Sequence, residues 1–297
     1  MLPKLIVIEG TNASGKSALG VELASRFGGE IVSADSRQVF ERLDLGSGKI
    51  TPEEMHGVPH HLLNVRKPGE FFSMADFQRL SYEAIDGIIA RGNVPFLVGG
   101  TGLYVDAVAD GYVLSEKSTD LDLRAELETY DTPALYEMLK EKLPDTDVDP
   151  KNRHRVMRLL EKLAAGDAAP GTKSPRYSLL KFGVTWPREI LKQRIDERLE
   201  RRLQQGMVDE VKAMLDDGVS EEFLVKLGLE YKYLTWYLTG KIGYEQMVED
   251  LAAAIKRFAK RQMTWFRLDP RIIWLDMNED PVSRASALIT DFLGKEA

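Results

Sequence analysis

The run Gly10-Thr-Asn-Ala-Ser-Gly15-Lys16-Ser17 limits this chain more than any other feature. It fits G-x-x-x-x-G-K-[ST] in full, follows an apolar, β-branched run at residues 5–9 and opens a helical pattern at 18–27. Strand, glycine-rich loop and helix in that order form a phosphate cradle of the nucleotide-binding, ATP-binding type. The backbone N–H groups of Gly10, Thr11, Asn12, Ala13, Ser14 and Gly15 close around phosphate oxygens, and the helix N-terminus adds partial positive charge. Lys16 neutralises the outer phosphate, and the Ser17 hydroxyl is the candidate ligand for Mg²⁺. The loop specifies phosphate binding. It specifies neither which phosphate nor which reaction.

The rest of the chain supports an α/β fold. Residues 30–35 read as a second strand, 73–91 as a helix with Met74, Phe77, Leu80, Ile85 and Ile88 on one broad face, and 94–98 as a further strand. This alternation predicts βαβ units, hence a P-loop NTPase-like parallel sheet flanked by helices. Residues 111–178 lack strand signals and end in a Gly/Pro/Ser loop at 166–175, which predicts an inserted helical subdomain between core segments 1–110 and 179–297. Residues 182–186 return to the sheet. Helices are expected over 189–203, 207–215, 232–238 and 244–266, and 272–276 is a candidate late edge strand.

Composition closes several routes. There is no cysteine, so disulfide scaffolds, thiolate metal sites and cysteine nucleophiles are excluded, and four histidines leave little room for a histidine-rich metal site. The uncharged stretch 92–105 is too short for a bilayer, and the N-terminal residues do not form a signal peptide, so a cytoplasmic protein is expected. The net charge of −7 argues against a nucleic-acid partner, yet it is unevenly spread. Segment 116–149 holds eleven acidic and four basic residues, a net of −7 that accounts for the whole imbalance. Segment 151–162 is net +4 and 256–267 net +5; each alone reads as a solvated helix face, and together they form a candidate anion-binding surface.

Three further features carry candidate chemistry. Asp35 ends the second strand, across the crevice from the phosphates, where a general base or a loop anchor fits. Gly99-Gly-Thr101-Gly-Leu-Tyr104 follows a strand of the same sheet and reads equally as a ligand loop, with the Thr101 hydroxyl exposed, or as a tight strand-to-helix turn. His60-His61 are adjacent rather than spaced i, i+4, so a structural role is favoured over a metal pair.

These motifs, together with Asp35-Ser-Arg-Gln-Val-Phe40, Pro59-His-His-Leu62, Arg155-Val-Met-Arg-Leu-Leu-Glu161 and Ala259-Lys-Arg-Gln-Met-Thr-Trp-Phe-Arg267, resemble in order and content the bacterial type of the tRNA dimethylallyltransferase (tRNA isopentenyltransferase) family. The resemblance implies transfer of a dimethylallyl group from dimethylallyl diphosphate to N6 of the adenosine 3′ to a tRNA anticodon, with Mg²⁺ as cofactor. It implies catalytic roles for Asp35, Thr101 and Lys16. It implies tRNA contacts from Asp35, Ser36, Arg37, Gln38 and Thr101 at the base pocket, from Arg124 at the channel, from His154, Arg155, Val156, Met157 and Arg158 in the insert, and from Lys260, Arg261 and Gln262 in the basic helix. The partners implied are the anticodon stem-loop and the allylic donor, with no membrane and a monomeric chain.

The sequence also departs from the family pattern. Asn12 replaces threonine, Phe40 stands where tyrosine is common, 227–233 departs from Gly-Tyr-Lys-Glu, and Ile255-Lys-Arg-Phe258 replaces Thr-Arg-x-Tyr. None of these touches Lys16, Ser17, Asp35 or Thr101.

Overall fold

The computed structural model describes residues 2–114, 120–166 and 173–294. These divide into two compact units, residues 1–111 with 175–297 and residues 112–174.

The larger unit is built on a six-stranded, wholly parallel sheet. Its strands are β1 (Lys4–Gly10), β2 (Gly29–Ala34), β3 (His60–His61), β4 (Val94–Gly99), β5 (Ser178–Thr185) and β6 (Ile272–Asp276), in the order β3-β2-β4-β1-β5-β6. The expected edge strand at 272–276 is β6. The second edge, β3, is only two residues long, too short for any periodic signal. Its histidines divide their work. His60 Nδ1 lies 2.8 Å from the Val58 carbonyl, and His61 Nε2 lies 2.6 Å from a Glu30 carboxylate oxygen. Arg91 and Asn93 bind that same carboxylate and hold its pKa down to about 2.

Period-2 alternation along the central strands sends residues to two different cores. Ile6, Ile8, Phe96, Val98, Phe182 and Val184 pack under α1 (Lys16–Phe27) and α12 (Pro281–Leu293). Leu5, Val7, Val32 and Leu97 pack against α2 (Met74–Ala90) and α3 (Gly102–Ala109). Each such side chain, fully withdrawn from water, contributes about 1.5–3 kcal/mol. The start of α2 is fixed by a reciprocal cap: Asp76 N donates to Ser73 Oγ at 3.1 Å and Ser73 N to Asp76 Oδ2 at 3.0 Å.

A third core is wholly helical. It joins α7 (Arg188–Gln204), α8 (Met207–Asp216), α9 (Glu221–Leu227), α10 (Leu229–Leu238) and α11 (Tyr244–Phe266) around Tyr231, Leu234, Met247 and Leu251. α11 has the bounds its sequence periodicity predicts, and α10 starts three residues earlier than expected. α3 starts at Gly102, just after β4, as the strand-to-helix reading of 99–104 expects; α9 and α12 were not anticipated as separate helices.

The smaller unit contains α4 (Leu121–Glu128), α5 (Thr132–Lys142) and α6 (Arg153–Ala164) around Leu127, Leu135, Leu139, Val156, Met157 and Leu160. Most of the acidic segment forms α4 and α5; residues 116–119 lie outside the described residues. An antiparallel bridge between Tyr112 and Lys173 closes the base of this unit.

Candidate active site

Parallel strands deliver their C-terminal ends to one edge of the sheet. β1 runs into the loop 10–17, β2 into Asp35–Gln38 and β4 into Gly100–Thr101. Gly99 is in register with both Glu9 and Ala34, so the three loops lie level. A β-carbon on Gly99 would sit 2.1 Å from the Ala34 carbonyl oxygen, which explains the glycine. β1 and β4 are neighbours, yet their helices leave to opposite faces, and a crevice at such a switch point is where open α/β sheets bind ligands.

The phosphate loop is held open from outside. Ala13 and Gly15 have φ of 61° and 89°, the alternation that turns successive amides inward. Two of its carbonyls are held by groups outside the loop: Trp186 Nε1 donates to Ser14 O at 2.8 Å and Arg194 Nε to Ala13 O at 3.0 Å, while within the loop Lys16 Nζ donates to Thr11 O at 3.3 Å. The Ser14 hydroxyl is buried and makes no hydrogen bond among the described residues. Ser17, next along, is exposed.

In front of the loop lies a cleft of about 490 Å³, lined by Lys16, Ser17, Asp35, Arg198 and Arg201. Burial and the neighbouring Arg198 push the Lys16 ammonium down to about 8, against the pull of Asp35. Burial and the adjacent Arg202 push Arg198 down to about 10. Arg198 makes no hydrogen bond or ion pair with any described residue. Among the described residues Arg202 pairs with Glu230, at 4.0 Å. Both guanidiniums crowd Gly48, where a β-carbon would lie 1.5 Å from Arg202 Nη2 and 2.2 Å from Arg198 Nη2. Lys16, Arg198 and Arg202 are three mutually repelling, desolvated cations, an arrangement suited to a multiply charged anion. The arginines of α7 were missed at the sequence level. Their signal is the recurrence of Arg194, Arg198 and Arg202 every four residues, one face of a helix.

Beyond Asp35 the cleft continues into a tighter pocket of about 50 Å³, with Ile195, Leu199, Ile255 and Phe258 on one wall and Arg37, Arg198, Arg202 and Glu230 among its other lining residues. Asp35 stands where the two meet. Its Oδ1 accepts from Arg37 N at 2.9 Å and Gln38 N at 3.4 Å, while Oδ2 makes no hydrogen bond to a described residue. Thr101 Oγ1 accepts from Ser36 N at 3.2 Å, so the β4 loop supports the Asp35 loop directly. The Arg37 guanidinium binds Glu230 at 3.0 Å and the Leu227 carbonyl at 3.2 Å, and Gln38 joins the Ser33 hydroxyl to Gly48 O. Glu230 is nearly buried and lies within the departure at 227–233.

The remaining candidates separate. In the smaller unit His154, Arg155 and Arg158 are exposed on α6, whereas Val156 and Met157 are buried in its core and turned away from any surface. Glu161 pairs with Arg158 at 2.9 Å and Arg124 at 3.5 Å. On α11, Lys260 and Arg261 are exposed but Gln262 is buried, with its amide bonded to protein.

The IPP transferase family model matches residues 38–269. The chain belongs to the IPP transferase family. The match begins just beyond the phosphate loop and Asp35. Among members of the IPP transferase family, the chain is 43% identical to tRNA dimethylallyltransferase 2 of Shewanella sediminis, covering 97% of this chain and 98% of that protein. It is 38% identical to the tRNA dimethylallyltransferase of Halalkalibacterium halodurans, over 99% and 97%. The structure of tRNA isopentenylpyrophosphate transferase from Bacillus halodurans superposes with a TM-score of 0.74 at 38% identity, over 98% of this chain and 95% of that one. A eukaryotic dimethylallyltransferase acting on tRNA gives 0.85 at 28% identity, over 98% and 80%.

A pH dependence follows for this member of the IPP transferase family. Lys16 carries its charge below about pH 8 and loses it above, so affinity for inorganic diphosphate is expected to hold up to about pH 8 and then fall. Calorimetric titration across pH 6.5–9.5 checks this, and an affinity flat over that range would remove Lys16 from the anion site.

Proposed function

We propose that this chain transfers a dimethylallyl group from dimethylallyl diphosphate to N6 of the adenosine on the 3′ side of a tRNA anticodon, releasing diphosphate. The observation that carries this reading is the continuous cavity with the loop 10–17 and Lys16 at one end, Asp35 at the join and, at the other end, a wall of Ile195, Leu199, Ile255 and Phe258 facing Arg37, Arg198 and Arg202. A five-carbon chain fits against that wall while its diphosphate meets the cations. The charged end of an allylic diphosphate suits the loop 10–17, Lys16 and Arg198, and its five-carbon end suits Ile195, Leu199, Ile255 and Phe258.

In this reading the bond between allylic carbon and oxygen breaks as a carbon–nitrogen bond forms at N6. The departing diphosphate gains negative charge, which the loop amides, Lys16 and Arg198 stabilise without reorganising. The amine proton passes to the unengaged Oδ2 of Asp35. Thr101, its oxygen already accepting from Ser36 N, keeps a hydroxyl proton to donate toward the reacting groups. The adenine must leave the anticodon-loop stack, which costs a few kcal/mol and favours an unpaired nucleotide.

Among the described residues no cluster of three or more histidine, aspartate or glutamate side chains could hold a metal by itself. The exposed Ser17 hydroxyl beside Asp35 and Lys16 suits Mg²⁺ that arrives with diphosphate oxygens, the usual manner for this ion. When bound, Mg²⁺ supplies further neutralisation of the leaving group. The exposed side chains of His154, Arg155, Arg158, Lys260 and Arg261 suit phosphate contacts with the anticodon stem-loop. The catalytic groups all belong to one chain, so a monomer suffices. No helix among the described residues is long and apolar enough to cross a membrane, in keeping with work on tRNA in the cytoplasm.

The test is a transfer assay with Mg²⁺ and labelled dimethylallyl diphosphate, offering unmodified tRNA with adenosine after the anticodon and AMP in parallel. Label is expected in tRNA alone. Label in AMP alone, or phosphoryl transfer from ATP without prenyl transfer, would overturn the reading.

A further inference from the structure

We infer that Gln262 is a positioning residue that sets the donor loop against the acceptor-side loop, and that it makes no contact with RNA. The inference rests on the reading above and deepens it. Gln262 lies on α11 with 7% of its surface exposed. Its Oε1 accepts from Asn12 N at 3.0 Å, and its Nε2 donates to the Gly100 carbonyl at 2.7 Å. One side-chain amide thus bridges the loop that holds the diphosphate and the loop that carries Thr101. Through the Thr101–Ser36 bond the same brace reaches Asp35.

The packing leaves no slack. A β-carbon on Gly100 would lie 2.9 Å from Gln262 Nε2, 3.2 Å from Gly10 O and 3.3 Å from Lys16 Cε. One turn earlier on α11, Phe258 lines the tighter pocket beside Asp35. One turn later, Trp265 covers Gly102, where a β-carbon would meet the indole at 2.4 Å, and donates to Asp106 at 2.8 Å. This stripe of α11 therefore grips the P-loop, the β4 loop and the start of α3. Lys260 and Arg261 are exposed, and the Arg261 guanidinium lies over the Phe258 ring at 5.5 Å.

The glutamine amide both accepts from an N–H and donates to a carbonyl at neutral pH. Methionine keeps the volume and loses both bonds. Ionised glutamate can accept from Asn12 N but cannot donate to Gly100 O. The relative placement of donor and base is the quantity at stake, and small misplacements of reacting groups cost large factors in rate.

The experiment compares wild type, Gln262→Met, Gln262→Glu and Lys260→Ala/Arg261→Ala, each verified as folded by thermal melting. Three quantities are read: kcat of transfer at saturating tRNA, affinity for inorganic diphosphate, and tRNA affinity with its salt slope. Gln262→Met is expected to lower kcat by about 10–100-fold and to weaken diphosphate binding several-fold, with tRNA affinity and slope unchanged. Gln262→Glu is expected to fall between it and wild type, and the double alanine variant to weaken tRNA binding alone. An unchanged kcat and diphosphate affinity in Gln262→Met, or a loss confined to tRNA affinity, would overturn the inference. A wild type that binds diphosphate but transfers nothing would sink the proposed function instead, and the diphosphate measurement would then decide the role of Gln262 by itself.

Discussion

Asp35→Asn is expected to lower kcat for dimethylallyl transfer by about 10²–10⁴-fold while leaving tRNA affinity within a factor of two or so. The amide keeps the volume of the carboxylate, and its oxygen can still accept from Arg37 N and Gln38 N, so the turn of the Asp35–Gln38 loop survives. What it loses is a basic oxygen for the N6 proton and a negative charge beside Lys16. That charge supports the Lys16 ammonium against burial. The variant should therefore also begin to lose diphosphate affinity at a lower pH than wild type. Single-turnover transfer at saturating tRNA, with binding measured separately, isolates the chemical step. Parallel losses in rate and tRNA affinity would remove Asp35 from the role of base and make it an anchor of the RNA.

The second large effect concerns stability. Lys181→Met is expected to destabilise the fold by about 3–5 kcal/mol, because breaking a buried ion pair from one side leaves unpaired charge. Lys181 lies on β5 and is 2% exposed. Its ammonium reaches Asp269 at 2.6 Å, Glu9 at 3.3 Å and Asp106 at 3.7 Å. Glu9, the last residue before the phosphate loop, is itself buried, and burial lifts its carboxyl to about 7 despite the lysine. The pH dependence has a definite sign. Below about pH 7 Glu9 holds a proton and needs its partner less; above it the carboxylate is charged and needs the ammonium. The destabilisation should thus be larger at pH 8 than at pH 5.5, as read from denaturant midpoints at both. An equal loss at both pH values would mean that Glu9 and Lys181 are not coupled, and that Asp269 alone accounts for the lysine.

Which parts of this molecule its sequence foretells follows from the range of the forces involved. The phosphate loop is local: glycines, lysine and serine act within eight consecutive residues, and strand and helix flank them. The central strands and α11 are marked by apolar periodicity. The placement of Asp35 and Thr101 at one edge was legible because parallel strands deliver their ends to the same side of the sheet. The anion site's second half was not, since Arg198 and Arg202 resemble any solvated helix face until tertiary packing buries them. Lys181 reads as an interruption of a strand, and its partners come from β1, α3 and the turn before β6, which no spacing rule connects. Gln262 lies in a basic run and takes on the appearance of an RNA contact; the helix turns it inward while Lys260 and Arg261 stay out. Val156 and Met157 are the same case in the smaller unit, where one face of α6 builds a core and the other meets solvent.

The strand order carries a consequence for biosynthesis. β1 is central in the finished sheet, yet one of its two neighbours, β5, is translated only after the whole helical insert. A nascent chain that has emerged as far as residue 111 can pair β3, β2, β4 and β1, and β1 is then an edge. That edge presents Leu5, Ile6, Val7 and Ile8, all fully buried in the final fold, together with a row of unpaired amides and carbonyls. Such an edge is a template for intermolecular pairing until residues 178–185 close it. Fragments that end within the insert should therefore be sticky on the ribosome, and the interval before β5 emerges is when this chain most needs a chaperone.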